Sequence, residues 1–165
     1  MRTAVIIGRF QPLHKGHLAA IVRLARTHGR LLILIGSAQY SRTAENPLSG
    51  IERKSMVRYV LRKRGISGRA RIVLLEDVHD NARWTEKARR IIGKPENIEV
   101  FSNNPLVRRL LCKHYRVGRL VSGIRVDSTR IRAIISMGGA WKALVPREVA
   151  AFLEGKRLVE VIAGT

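Results

Sequence analysis

Short unbroken apolar runs alternate with longer stretches in which apolar residues recur every three or four positions. Thr3-Ala4-Val5-Ile6-Ile7 is a short apolar run rich in β-branched residues, which predicts a strand buried on both faces. From Leu18 the residues Leu18, Ile21, Val22 and Ala25 return at helical spacing, so a helix begins near His17. Leu31 to Ile35 reads as a second strand, followed by a polar loop through Asn46-Pro47. Ser49 with Glu52 forms a capping box; Met56, Val57, Val60 and Leu61 supply the buried stripe of that helix, and Gly65 closes it. Arg71 to Leu75 is a third strand, leading through Glu76 to Asn81 into a helix that carries Trp84. Ile98 to Phe101 is a fourth. Asn104-Pro105 then reads as N-cap and first-turn proline before the apolar positions Leu106, Val107, Leu110 and Leu111. A short strand is expected near Leu120-Val121, a helix capped by Asp127 or Ser128 and running to Met137, and another helix opening at Pro146. Leu158 to Ile162 suits either a strand or a helix.

This alternation is the signature of an α/β fold with a parallel sheet. Ligands of such sheets bind beyond the carboxyl ends of the strands. Gly8-Arg9, Gly36-Ser37, Asp77 to Asn81 and Ser102 to Asn104 all fall at those ends, which predicts one shared pocket.

At 165 residues the chain is expected to be one domain, 1–165, large enough to bury a core. No signal pattern and no apolar run of membrane-spanning length is present, and a single cysteine, Cys112, cannot form an internal disulfide. These features predict a soluble, intracellular protein. A formal charge of +20 attracts polyanions, so a basic nucleic-acid-binding module has to be weighed. Against it, the cations are spread from Arg2 to Arg157 and aromatics make up only 5% of the chain.

The strongest chemical signal is Gly8-Arg9-Phe10-Gln11-Pro12-Leu13-His14-Lys15-Gly16-His17, where a strand hands over to a helix. A helix N-terminus offers unpaired N–H groups and partial positive charge, Gly16 admits close approach of an anion, and His14 and His17 share one side of the first turn. The order is neither that of a P-loop nor G-x-G-x-x-G. His-x-x-His is also half of a zinc pattern, but the loop holds no carboxylate and no cysteine. A second candidate anion site is Asp127-Ser128-Thr129-Arg130-Ile131-Arg132, with two hydroxyls and a guanidinium at another helix start. Taken alone it also reads as an ordinary N-cap with surface arginines. Trp84 is a core residue by type, yet its polar neighbours Asn81, Arg83 and Thr85 suit a ring at a pocket rim that stacks on a cationic heterocycle.

Gly8 to His17 resembles the [HT]-x-G-H signature of the nucleotidylyltransferase superfamily, in the G-R-F-Q-P-x-H-x-G-H form of archaeal nicotinamide mononucleotide adenylyltransferases. Ser128-Thr129-x-x-Arg132 resembles the S-T-x-x-R element of the same superfamily, in the expected order. Asp77, Val78, Asn81 and Trp84 match the family's D-[IV]-x-x-N-x-x-W run, whose tryptophan stacks on the nicotinamide ring. Arg53 matches a G-E-R arginine near the mononucleotide phosphate, and Asn104-Pro105-Leu106-Val107 matches a further block. The resemblance spans about residues 3 to 150. Ile51 and Asn103 stand where the family has glycine, and Ser128 replaces the glycine often found before the threonine.

The resemblance implies a Rossmann-like, doubly wound parallel sheet with flanking helices. It implies transfer of AMP from ATP to nicotinamide mononucleotide, giving NAD and pyrophosphate by direct in-line attack, with His14, His17 and Arg132 as catalytic groups. ATP would be bound by Gly8, Arg9, Phe10, Gln11, Pro12, His14, Lys15, Gly16, His17, Ser128, Thr129 and Arg132. The nicotinamide nucleotide would meet Arg53, Asp77, Val78, Asn81, Trp84 and Asn104. Magnesium is expected with ATP, without evident protein ligands. The family also implies a cytoplasmic homo-oligomer, commonly a hexamer, in which residues 155–165 would form a C-terminal extension suited to a subunit contact. The nearest alternatives keep the chemistry and change the acceptor to pantetheine phosphate, flavin mononucleotide or glycerol phosphate.

Overall fold

The computed structural model describes residues 1–165. Its strands are β1 (Thr3–Gly8), β2 (Arg30–Ile35), β3 (Ala70–Leu74), β4 (Ile98–Phe101) and β5 (Arg116–Gly118). They pair in the order β3-β2-β1-β4-β5, and every pairing is parallel. The chain therefore winds outward in one direction from β1 to β3, then crosses back to lay β4 and β5 on the other side of β1. This is the doubly wound sheet expected from the sequence, and the reversal lies between β1 and β4.

Helices cover both faces: α1 (Lys15–Thr27), α2 (Gly50–Lys63), α3 (Asn81–Ile92), α4 (Pro105–Leu111), α5 (Ser128–Ser136), α6 (Arg147–Gly155) and α7 (Leu158–Ala163). Alternation along the strands divides the core. Ala4 and Ile6 of β1 and Leu31, Ile33 and Ile35 of β2 join the larger cluster with residues of α1, α2, α5, α6 and α7. Val5, Ile7, Leu32 and Leu34 face the opposite way, against Trp84 and Ala88 of α3 and Val107 and Leu111 of α4. An unbroken apolar run thus serves two cores, each fully buried aliphatic side chain contributing about 1.5–3 kcal/mol.

The capping box at Ser49 and Glu52 is formed in both directions, with Ser49 N–H donating to Glu52 Oε2 at 2.7 Å and Glu52 N–H to Ser49 Oγ at 3.2 Å. Asn104 caps α4 through Oδ1, ahead of Pro105. Two details differ from the sequence reading, and a third was open between strand and helix. α1 starts at Lys15, two residues early, because His14 itself is the N-cap. The fifth strand is Arg116–Gly118 and not Leu120-Val121: it is a three-residue edge strand held to Glu99–Phe101, and Leu120 lies beyond it, tied by its N–H to Asn103 Oδ1. The final segment is helical, and its Leu158 and Ile162 are buried in the main core against α5 and α6.

The loop after β2 comes so close to α2 that only glycine fits at the helix start. A Cβ on Gly50 would stand 2.6 Å from the Ala38 carbonyl oxygen. Gly50→Ala is expected to destabilise the chain by about 1–3 kcal/mol through overpacking against backbone. Thermal melting should show Tm lowered by several degrees relative to the unchanged protein.

Candidate functional site

The carboxyl ends of the strands open into a cavity of about 650 Å³. Its wall draws on every strand-end segment named above: Gly8 to Gln11, Gly36-Ser37, Asp77-Val78 with Asn81 and Trp84, Ser102 to Asn104, and the Val126 to Thr129 approach to α5 with Arg132.

His14 and His17 both line it. The His14 Nδ1 accepts the His17 N–H at 3.2 Å, and the His17 Nδ1 accepts the His14 N–H at 3.4 Å. This is a capping box in which imidazoles take the places of serine and glutamate. The rings stack with centroids 3.6 Å apart and planes 20° apart, and the Phe10 ring leans on His17 at 4.9 Å. Because each Nδ1 is an acceptor, each neutral ring carries its proton on Nε2. Burial pushes the His14 pKa down to about 4, opposed by the nearby Asp127 carboxylate. Burial and the neighbouring His14 push His17 well below the ordinary histidine range. The pair therefore offers two Nε2–H donors with no net charge of its own at neutral pH.

Cationic charge comes from Arg9, which is exposed, and from Arg132, which is buried. Arg132 donates from Nε to the Ala44 carbonyl at 2.9 Å, from Nη1 to the Gln11 carbonyl at 3.0 Å and from Nη2 to Thr129 Oγ1 at 3.3 Å. Burial and repulsion by Arg9 lower its pKa, and it stays charged. Ser128 Oγ donates to the Pro12 carbonyl at 3.0 Å, so the start of α5 is fastened to the histidine loop. Gln11 is fastened from the other side, exchanging two hydrogen bonds with the Leu48 backbone at 2.7 and 3.0 Å.

Where β2 ends, Ser37 Oγ donates to Asp77 Oδ2 at 2.6 Å, and Gln39 grips the Asp77 backbone with both ends of its amide. Trp84 is both things that the sequence allowed: it belongs to the smaller core and also lines the cavity beside Val78 and Asn81.

Four of the expected site residues lie outside the cavity wall. Arg53 is neither a surface charge nor part of the cavity wall: it is 0% exposed, and its guanidinium is used on the carbonyls of Arg9, Gly36, Ser37 and Ser49. Lys15 turns away and lines a second, more open cavity between α1 and α6, because successive helical residues point about 100° apart. Pro12 lies buried outside the wall, its carbonyl taken by Ser128. Gly16 also lies outside it, and a Cβ there would stand 3.1–3.2 Å from the His14 ring and Ser122 Oγ. Asn104 lines the cavity while its Oδ1 is committed to capping.

Ser37, Ser102, Asn103 and Asp127, which the sequence placed at strand ends or a helix cap without giving them a ligand, line the cavity, and sequence reasoning missed the apolar wall residues Ile7, Leu106, Leu110, Leu120 and Val126. Ser102 Oγ donates to the Ile7 carbonyl at 3.0 Å, joining β1 to the loop after β4.

The sequence model of one family, described as cytidylyltransferase-like, matches residues 5–134. A curated nicotinamide-nucleotide adenylyltransferase of Thermoplasma volcanium is 39% identical over 149 residues, which cover 88% of this chain and 82% of that protein. Among solved structures, a bifunctional NMN adenylyltransferase/ADP ribose pyrophosphatase from Francisella tularensis superposes with a TM-score of 0.80 at 23% identity, covering 98% of this chain and 52% of that one. Its complex with AMP and a manganese ion superposes at 0.78 and 22% identity, over 98% and 52% of the two chains. The present chain spans about half of that longer protein, and at such identity the likeness is one of fold.

The reciprocal cap separates two functions of His14 that substitutions can dissociate. His14→Asn keeps a good N-cap acceptor and loses the Nε2–H, so Tm should hold while affinity for inorganic tripolyphosphate falls about tenfold, the loss of one charge-assisted hydrogen bond. His14→Gln loses the cap instead and should cost about 1 kcal/mol of stability. Melting curves and tripolyphosphate titrations on both variants read the two effects.

Acid should act through the same pair. Both folded pKa values lie below the unfolded value, so the unfolded chain binds protons that the folded one refuses. Their contribution is complete above roughly pH 6.5 and is lost as pH falls toward about 4. Denaturant melts across that window should slope downward for the native sequence and less steeply for His14→Asn.

Proposed function

Since the chain belongs to the cytidylyltransferase-like family, we propose that it is a nicotinamide-nucleotide adenylyltransferase, joining the AMP moiety of ATP to nicotinamide mononucleotide with release of pyrophosphate. The observation that carries this reading is one cavity that brings phosphate donors and an aromatic wall together. His14, His17, Arg9, Arg132 and the start of α5 line it, as do Trp84, Asn81 and Asp77. At about 650 Å³ the cavity is in the range of small-molecule sites.

In the proposed reaction a phosphate oxygen of the mononucleotide attacks the α-phosphorus of ATP. A new P–O bond forms as the bond from the α-phosphorus to the bridging β-oxygen breaks, and the electron pair leaves on pyrophosphate. A phosphate monoester is already nucleophilic at neutral pH, so no general base is needed and catalysis is positioning with charge stabilisation. The Nε2–H groups of His14 and His17 donate to oxygens of the α- and β-phosphates. Arg9 and Arg132 offset the charge that grows on the leaving pyrophosphate. Neutral imidazoles suit this work because they donate firmly without trapping the product as cations would. Trp84 and Asp77 give the positively charged nicotinamide ring a π-face and a carboxylate.

Magnesium is proposed to arrive on the triphosphate. Phosphate oxygens and water are its ligands in this reading, and the chain's own groups carry the steps above. The family resemblance extends the proposal to a cytoplasmic homo-oligomer acting in NAD biosynthesis.

The test is direct. Purified protein with ATP, nicotinamide mononucleotide and magnesium should yield NAD and pyrophosphate in equal amounts. Release of pyrophosphate only with pantetheine phosphate, flavin mononucleotide or glycerol phosphate would replace the acceptor. Trp84→Leu, which keeps an apolar side chain in the smaller core, should raise KM for the mononucleotide about tenfold through loss of a ring–cation contact and leave KM for ATP within about twofold. Equal effects on both substrates count against the assigned acceptor.

A further inference from the structure

Arg53 has no place in the mechanism above, yet it is the largest of the fully buried side chains. It has no carboxylate within salt-bridge distance. Its partners are backbone carbonyls: Nη1 donates to Arg9 at 2.9 Å and to Gly36 at 2.8 Å, Nη2 to Ser37 at 2.9 Å and Nε to Ser49 at 3.2 Å. Arg9, Gly36 and Ser37 are wall residues of the cavity, so the guanidinium stands immediately behind the wall.

A peptide's C=O and N–H point in opposite directions. Where Arg53 draws the Arg9 and Gly36 carbonyls backward, the N–H groups across the same two peptides, those of Phe10 and Ser37, are left on the cavity side. Neither N–H donates to any group in the chain. Both residues have left-handed φ, +54° at Phe10 and +51° at Ser37, which costs a side-chain-bearing residue energy and persists only where surroundings enforce it. The two kinks leave neighbouring strand ends, joined by the Gly36 N–H to the Gly8 carbonyl at 3.0 Å, so that one anion can take both N–H groups. An ion held on these two N–H groups would also offset a buried guanidinium that makes no salt bridge and feels Asp77 and Glu52 only at longer range, an arrangement that is otherwise costly. Burial and Arg9 lower the pKa of Arg53 to about 10, so the charge persists at neutral pH.

We propose that Arg53 is a positioning residue of the anion site: it holds three carbonyl oxygens away from the bound phosphates and aims the N–H groups of Phe10 and Ser37 at them, without touching the ligand itself. The inference rests on the proposed function only for the identity of the anion as the triphosphate of ATP.

The probe is inorganic tripolyphosphate at about 0.3 M salt, where long-range attraction to a +20 chain is screened. In ¹⁵N-labelled protein of native sequence, the Phe10 and Ser37 amide signals should shift downfield on saturation; if both stay still while the protein binds, the proposal fails. Arg53→Lys keeps the charge on a point ammonium that cannot span three carbonyls, and Arg53→Met removes it. Each should weaken tripolyphosphate binding at least tenfold, with the lysine variant the less affected. A folded variant of either kind that binds within twofold of the native protein overturns the proposal, since a purely structural residue would change Tm alone. If neither variant folds, the amide titration still decides. Absence of NAD formation with both amides shifting would retire the reading of function and keep this one.

Discussion

Everything at the cavity depends on where β1 lies. It pairs in parallel with β2 along one edge and β4 along the other, and the connections leave in opposite directions. A strand in that position has no covering loop over its carboxyl end, so the chain leaving Gly8 turns directly into open space between two sets of helices. The histidine loop occupies that gap. Its geometry is then fixed from three sides, by α2 through Arg53 together with the Leu48 backbone just before that helix, by α5 through Ser128 and Arg132, and by α1 through the paired imidazoles.

A site for polyphosphate faces an electrostatic difficulty, because protein backbone presents as many carbonyl oxygens as N–H groups. Here arginines and a serine from distant elements take the carbonyls of Arg9, Gln11, Pro12, Gly36 and Ser37. Positive charge is spent on backbone as much as on ligand. The two histidines meanwhile remain neutral, which keeps the like-charge repulsion among Arg9, Arg53 and Arg132 from growing further.

Much of this was legible in the sequence. Four strands, the Ser49 and Asn104 caps and the meeting of four strand ends follow from apolar runs and capping residues, because those signals are local. What was not legible depended on direction. Arg53 sits at helical register with Met56, Val57, Val60 and Leu61, and Arg132 likewise with Ile135, so both lie on stripes that face inward; read as charges they were assigned outward or to ligand. Lys15 was grouped with its neighbours His14 and Gly16, although one residue of helix is enough to send it to another surface. β5 escaped because an edge strand of three residues carries little apolar signal, while the run at Leu120-Val121 belongs to the loop over the cavity. Reciprocal capping by histidines has no sequence rule to announce it.

The last helix has a bearing on the site that its position in the chain conceals. α7 lies against α5, and Leu158 and Ile162 are part of the core that α5 shares. Ile131 and Ile135 are buried in that same core, and α5 carries Ser128, Thr129 and Arg132 on its first turns. α7 therefore braces from behind the helix whose opening turns form one side of the cavity wall.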